Sequence, residues 1–379
     1  MRILHFGKFP AHRFGGIERH VEGLVQGLAK AGLDVTNLVY DLGGSSASVC
    51  ESTCRGVRIV AVPCRRTVAS LPIAPQTPLV VRRMAKAAPF DIVHAHFPDP
   101  LAFASMPFAP GAARIASWHS DIVRQRAFGS IYATIARTCF APLDAVIAAT
   151  PLHLESAQLP AFRPRRTRLI PYGVDLSRFT PTPATMACAA NLRAAAGGRV
   201  IVFSLGRHVY YKGFEVLIAA MQNVDALLLL GGEGPLTAAL QARARQSKGL
   251  GEVRLVGRIG EDELAAYYHA CSIYCLPSVA PSEAFGLVQI EAMACAKPVV
   301  NCLLNNGVNF VSPDGVSGLT VTPGDPVALA AALNRLLLDA GLRETLGRNG
   351  QRRVAEHFSM DAMIAATIDL YRNVLDARR

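Results

Sequence analysis

Short apolar runs alternate with helix-length amphipathic segments along almost the whole chain, and no other feature restricts its possible folds so tightly. Arg2 to Phe6 is the first such run. After a loop from Gly7 to Gly16, the residues Ile17, Val21, Leu24, Val25 and Leu28 recur at helical spacing, and Gly32 follows as a helix stop. Strand runs return at 35–40, 57–62, 92–95, 114–118, 145–148 and 168–170, and again at 200–205, 226–230, 253–256, 273–276 and 298–301. Strands separated by helices predict parallel sheets covered on both faces, an α/β class of doubly wound, Rossmann-like type. The small, polar stretch from Leu42 to Ser52 reads as a loop.

A chain of 379 residues exceeds what one hydrophobic core serves, so two domains are expected. Arg178-Phe179-Thr180-Pro181-Thr182-Pro183 cannot continue a helix or a central strand, and it precedes an Ala-rich segment ending at Gly197-Gly198. The expected division is an N-terminal domain at 1–177, a linker at 178–198, a C-terminal domain at 199–358, and a last helix at 359–379 returning to the N-terminal domain, with Ser359 as its N-cap.

With 51% hydrophobic and 18% charged residues, the chain is no disordered tail. Its net charge of +11 favours an anionic partner. Basic residues interleaved with aromatics, as in a nucleic-acid module, are missing, so nucleic acid is not expected. Arg82, Arg83 and Lys86 share one segment. Arg124, Arg126 and Arg137 lie in another with Phe128, Ile131, Ile135 and Phe140. Such stretches fit peripheral contact with an anionic membrane as well as a solvated face. Nine cysteines without a C-x-x-C pair or zinc-ligand spacing read as free thiols in a reducing compartment. Neither a secretory signal nor an apolar run of about 18 residues is present, and a cytoplasmic location is expected, at the inner face of the plasma membrane if the basic stretches act.

Open parallel sheets bind ligands at the carboxyl ends of their strands, which directs the search for a site. Gly15-Gly16 lies between the first strand and the first helix, where backbone N–H groups can approach an anion. Gly206-Arg207 follows the strand at 200–205, and Lys212-Gly213 opens the next helix. Two cations there suit a diphosphate, Arg207 as a planar fork and Lys212 as a point charge. Pro277 to Ala294 carries Glu283 and Glu291 with seven residues between them. The first stands in a Pro- and Ser-rich turn and the second one turn into a helix, whose start at Phe285, Gly286 and Leu287 offers backbone N–H donors. Neither G-x-x-x-x-G-K-[ST] nor a G-x-G-x-x-G after the first strand occurs, so a P-loop NTPase and a dehydrogenase are not expected.

The Glu283 to Glu291 segment resembles the E-x7-E motif of family-four retaining glycosyltransferases of the GT-B fold, two Rossmann-like domains facing a cleft. The likeness extends over Gly15-Gly16, Trp118-His119-Ser120-Asp121, Tyr172-Gly173-Val174-Asp175, Gly206-Arg207, Lys212-Gly213, Gly257-Arg258 and Gly315 to Asp325. It implies that Arg207 and Lys212 neutralise a donor diphosphate, Glu283 meets the donor hexose, Glu291 holds the ribose, and Gly257 and Arg258 lie beside the base. Gly15 and Gly16 border the diphosphate, and His119 stands near the sugar. The implied reaction moves a hexose, with mannose favoured, from a GDP- or UDP-hexose to a saccharide or lipid-linked saccharide in bacterial surface-polysaccharide assembly. No metal and no other cofactor is expected. A GT-B epimerase and an inactive nucleotide-sugar-binding subunit are the alternatives. Asn305-Asn306-Gly307-Val308-Asn309 departs from the family's Gly-Gly-[Ile/Val]-x-Glu.

Overall fold

A computed structural model describes residues 1–7, 9, 16–42, 48–68, 71–119, 142–155, 160 and 164–379. Gly15, Ser120, Asp121 and the basic stretch from Arg124 to Phe140 lie outside the described residues. The chain divides into two compact units, Met1–Gly173 with Met360–Arg379, and Val174–Ser359.

The first unit is built on an eight-stranded sheet. Its strands are β1 (Arg2–Phe6), β2 (Asp34–Leu42), β3 (Cys50–Cys54), β4 (Val57–Cys64), β7 (Ile92–Phe97), β8 (Ala113–Trp118), β9 (Ala145–Ala148) and β10 (Thr167–Leu169), in the order β10-β9-β8-β7-β1-β2-β4-β3. A two-stranded hairpin, β5 (Thr67–Val68) and β6 (Leu71–Pro72), stands apart from it. All described pairings in the large sheet are parallel except β3 against β4. Every residue of β7 and of β9 is buried, as expected where both faces of a parallel sheet are covered. One face packs Leu4, Phe6, Leu38, Val93 and Trp118 together. The other packs Ile3, Ile92 and Ile115 with Leu24 and Leu28 of the helix Gly16–Lys30 and with Ile364, Leu370 and Tyr371 of the helix Met360–Asp376.

The second unit holds β11 (Ile201–Leu205), β12 (Leu227–Gly231), β13 (Glu252–Gly257), β14 (Ile273–Leu276), β15 (Val299–Cys302) and β16 (Gly318–Val321), all parallel, in the order β13-β12-β11-β14-β15-β16. This is the doubly wound dinucleotide order, and strand succession reverses between β11 and β14. The first unit has its reversal between β1 and β7.

Two local expectations differ from the structure. Cys50 to Ser52, read as loop, belongs to edge strand β3. All of its residues are exposed, so it carries no apolar signal. Within 178–198, read as linker, Pro183–Ala195 is a helix of the second unit. Thr182 caps it by accepting from Thr185 N at 3.1 Å, and a proline at a first helical position has no N–H to lose.

Candidate active site

The strand reversal of the second unit brings two distant loops together. Gly213 has φ +64°, and a Cβ there would stand 2.2 Å from the Pro277 carbonyl oxygen, so only glycine lets the loop after β11 touch the loop after β14. The Val279 N–H donates to the Tyr211 carbonyl at 2.8 Å and seals that contact. Lys212 and Glu283 meet there. Their ammonium and Oε2 form an ion pair in which both side chains are close to nine-tenths buried. The Ser278 hydroxyl donates to the same Oε2 at 3.2 Å, and the Asn306 amide donates to the Glu283 carbonyl at 2.7 Å. A Cβ on Gly206 would lie 3.3 Å from the Lys212 ammonium, so that charge sits over the glycine ending β11. Arg207 beside it is exposed.

The helix Leu287–Ala294 starts at Gly286, whose φ of +72° turns the chain into it. Glu291 lies on this helix and accepts a hydrogen bond from the Tyr268 hydroxyl at 2.6 Å. Burial first, then the Glu291 carboxylate, raises the Tyr268 pKa well above its ordinary value. Tyr274 is raised likewise, by burial, then Glu291, with Glu283 contributing too, so both carboxylates act on one buried phenol. Phe285 is buried beneath the turn. Gly257, with φ +69°, ends β13, and Arg258 after it is exposed.

In the first unit His119 follows β8 and is 2% exposed. Its Nε2 shares a hydrogen bond with His96 Nδ1 at 2.9 Å, and its Nδ1 shares one with the Tyr172 hydroxyl. His20, on the helix Gly16–Lys30, packs against Tyr172 with ring centroids 4.4 Å apart and the rings tilted by 43°. Burial lowers the His20 pKa to about 4 and drives that of His96 well below its ordinary value. The His20 and His96 rings are therefore neutral at neutral pH.

The family model described as Glycosyltransferase Family 4 matches residues 14–178, and the one described as Glycosyl transferases group 1 matches residues 193–353. A solved sucrose-phosphate synthase from Thermosynechococcus elongatus superposes with a TM-score of 0.81 at 26% identity, over 100% of both chains. The chain is a GT-B glycosyltransferase. Among curated relatives of this glycosyltransferase, the O-antigen chain mannosyltransferase C of Escherichia coli is 27% identical over 100% of both chains. The D-rhamnosyltransferase WbpZ of Pseudomonas aeruginosa is 29% identical over 95% of this chain and 92% of its own.

Of the residues singled out from sequence, the glycosyltransferase brings Gly206, Lys212, Glu283, Phe285, Gly286, Leu287 and Glu291 to the carboxyl ends of β11 and β14. Arg207 stands beside them, Gly257 and Arg258 close the end of β13, His119 belongs to the first unit, and Gly16 begins its first helix. Ser278, Asn306, Tyr268 and Tyr274 were not singled out. Ser278 lies inside the segment that carries the motif, so proximity was its only signal. Asn306 lies in the loop that departs from the family pattern, and its bond to the Glu283 backbone gives that departure a local use.

Proposed function

We propose that the chain is a retaining, metal-independent hexosyltransferase that takes a hexose from a nucleoside diphosphate and adds it to a saccharide or lipid-linked saccharide during surface-polysaccharide assembly. The buried Lys212–Glu283 pair over Gly206, at the strand reversal of the second unit, is the observation that carries this reading. In it Lys212 stands ready for an anion while its present partner is a carboxylate suited to sugar hydroxyls. A diphosphate entering over Gly206 takes Lys212 and Arg207, and Glu283 is then released toward the hexose. The N–H groups at Gly286 and Leu287 meet phosphate oxygens at the helix's positive end. Glu291, oriented by Tyr268, takes the ribose diol.

When the bond between the anomeric carbon and the phosphate oxygen breaks, negative charge grows on the phosphate. Fixed cations and amides stabilise it most in the transition state, which is where binding accelerates a reaction. The acceptor oxygen bonds to the anomeric carbon on the same face, and its proton passes to the leaving phosphate oxygen. The second unit takes the donor and the first the acceptor, with His119 serving the sugar. The relatives' mannosyl and rhamnosyl activities favour GDP-mannose or a close relative as donor, and the O-antigen named for the mannosyltransferase favours a cytoplasmic enzyme working at the inner membrane surface.

Thermal-shift screening of GDP- and UDP-hexoses identifies the donor, because stabilisation grows with ligand concentration over its dissociation constant. Product anomers read by NMR should keep the donor configuration, and chelator should leave the rate unchanged. Arg207→Glu with Lys212→Glu should abolish both donor binding and transfer. Unchanged affinity and turnover in that double variant refute the reading.

A further inference from the structure

Six hydrogen bonds run in one line through the first unit. The Tyr172 hydroxyl bonds His119 Nδ1, and His119 Nε2 bonds His96 Nδ1 at 2.9 Å. His96 Nε2 bonds His5 Nδ1 at 3.3 Å, and His5 Nε2 bonds the Tyr371 hydroxyl at 3.2 Å. The same hydroxyl bonds His94 Nδ1 at 2.5 Å, and His94 Nε2 bonds Ser117 Oγ at 2.8 Å. His5 stands on β1 and His94 and His96 on β7, the two strands between which succession reverses, and Tyr371 reaches them from the helix Met360–Asp376. All are buried.

Proton counting makes this line a unit. A neutral imidazole owns one N–H and one lone pair, so a ring that accepts from one neighbour must donate to the next. The Tyr371 hydroxyl has one hydrogen, and its partners among the described residues are His5 and His94, so it passes the direction on. Two neutral arrangements result. Either all four histidines carry the proton on Nε2 and the bonds run from Tyr172 to Ser117, or all carry it on Nδ1 and run the other way. The tautomer of His119 is therefore tied to that of His94, four bonds along the line.

Both ends return to one place. Ser117 and Tyr172 line a single cavity of about 10 Å³ together with His20, room for about one water.

We propose that His96, His5, Tyr371 and His94 are positioning residues that act through this line to fix the tautomer and orientation of His119. The proposal rests on the reading that His119 serves the sugar. There the tautomer decides whether Nδ1 meets a sugar hydroxyl as donor or as acceptor, in exchange for Tyr172. One ring nitrogen from each of His5, His94 and His96 also lies within 4.8 Å of the other two, a cluster able to hold a metal ion. Every one of those nitrogens already has a partner in the line, so a cation would have to dismantle it.

Imidazole ¹⁵N spectra of histidine-labelled enzyme at neutral pH test this directly. The expected result is four neutral rings with the proton on the same nitrogen. Tyr371→Phe, which keeps the ring and removes the relay hydroxyl, should change the His119 tautomer ratio. It should also lower kcat about tenfold, the worth of one hydrogen bond, with the donor KM unchanged. Mixed tautomers in the unaltered enzyme, Tyr371→Phe effects confined to His5 and His94, or stoichiometric zinc that survives dialysis would each overturn the proposal. Wild-type kcat in His119→Ala removes the role assigned to His119 itself, a result the spectra distinguish from failure of the coupling.

Discussion

Lys212 and Glu283 are each close to nine-tenths buried, and each is the other's neutralising charge. A buried pair contributes little net stability, because desolvation offsets attraction, but removing one partner strands the other. Lys212→Met leaves the Glu283 carboxylate with the Ser278 hydroxyl alone, and the second unit should lose about 3 kcal/mol in urea unfolding. Adding Glu283→Gln removes the stranded charge, and most of that loss should return. A double variant as unstable as the single one would mean that the two charges do not neutralise each other. In both variants donor binding is lost, so stability and affinity separate: the first recovers in the double variant and the second does not.

At the scale of the strand, the histidines of β1 and β7 make the first unit sensitive to acid. Burial, with a smaller push from His20, lowers the His5 pKa to about 3 from its ordinary 6.5. Burial lowers His20 to about 4 and drives His94 and His96 well below the ordinary value. The unfolded chain takes up these protons near pH 6.5 and the folded chain does not, so the unfolded state binds more protons and stability rises with pH. Stability should be level above about pH 6.5 and fall steeply between there and about pH 4, each such histidine adding up to about 1.4 kcal/mol per pH unit. Denaturant unfolding followed down this range reads the slope, and His20→Gln should flatten it. A slope unchanged in His20→Gln would mean that the ring is charged in the folded chain.

The same strands show what a sequence can and cannot disclose. A strand such as β12, Leu227–Gly231, is buried throughout and stands out as an apolar run. The two-domain alternation was legible for that reason, and the Glu283 to Glu291 segment was legible because its chemistry is contiguous. His5 sits singly inside one apolar run, and His94 and His96 stand two residues apart in another, where buried histidines carry no signal of a partner strand. Only the pairing of β1 with β7, which sets His5 against His94, turns them into a cluster. Lys212 and Glu283 were each legible as charges, but their pairing depends on Gly213 admitting Pro277, a contact that no local pattern encodes.

Over the whole molecule, 39 basic against 28 acidic residues give a charge of +11, and the helix Thr77–Ala87 offers part of that excess to an outside surface. Leu79, 62% exposed, shares one face with the exposed Arg82, Arg83 and Lys86, since residues three, four and seven apart align on a helix. An apolar side chain ringed by cations suits the boundary of an anionic bilayer, and among the described residues no helix is long and apolar enough to cross one. Each cation near such a surface is worth about 1 kcal/mol, so replacing all three by Gln should weaken binding to phosphatidylserine-containing vesicles about 100-fold. Raising salt should weaken the unaltered protein in the same direction, because screening shortens the reach of exposed charges to a few ångströms. Sedimentation with vesicles of graded anionic content reads both effects. Binding that ignores both salt and the triple substitution would remove this face from the account, and an acceptor carried on a lipid would then have to reach the enzyme by another surface.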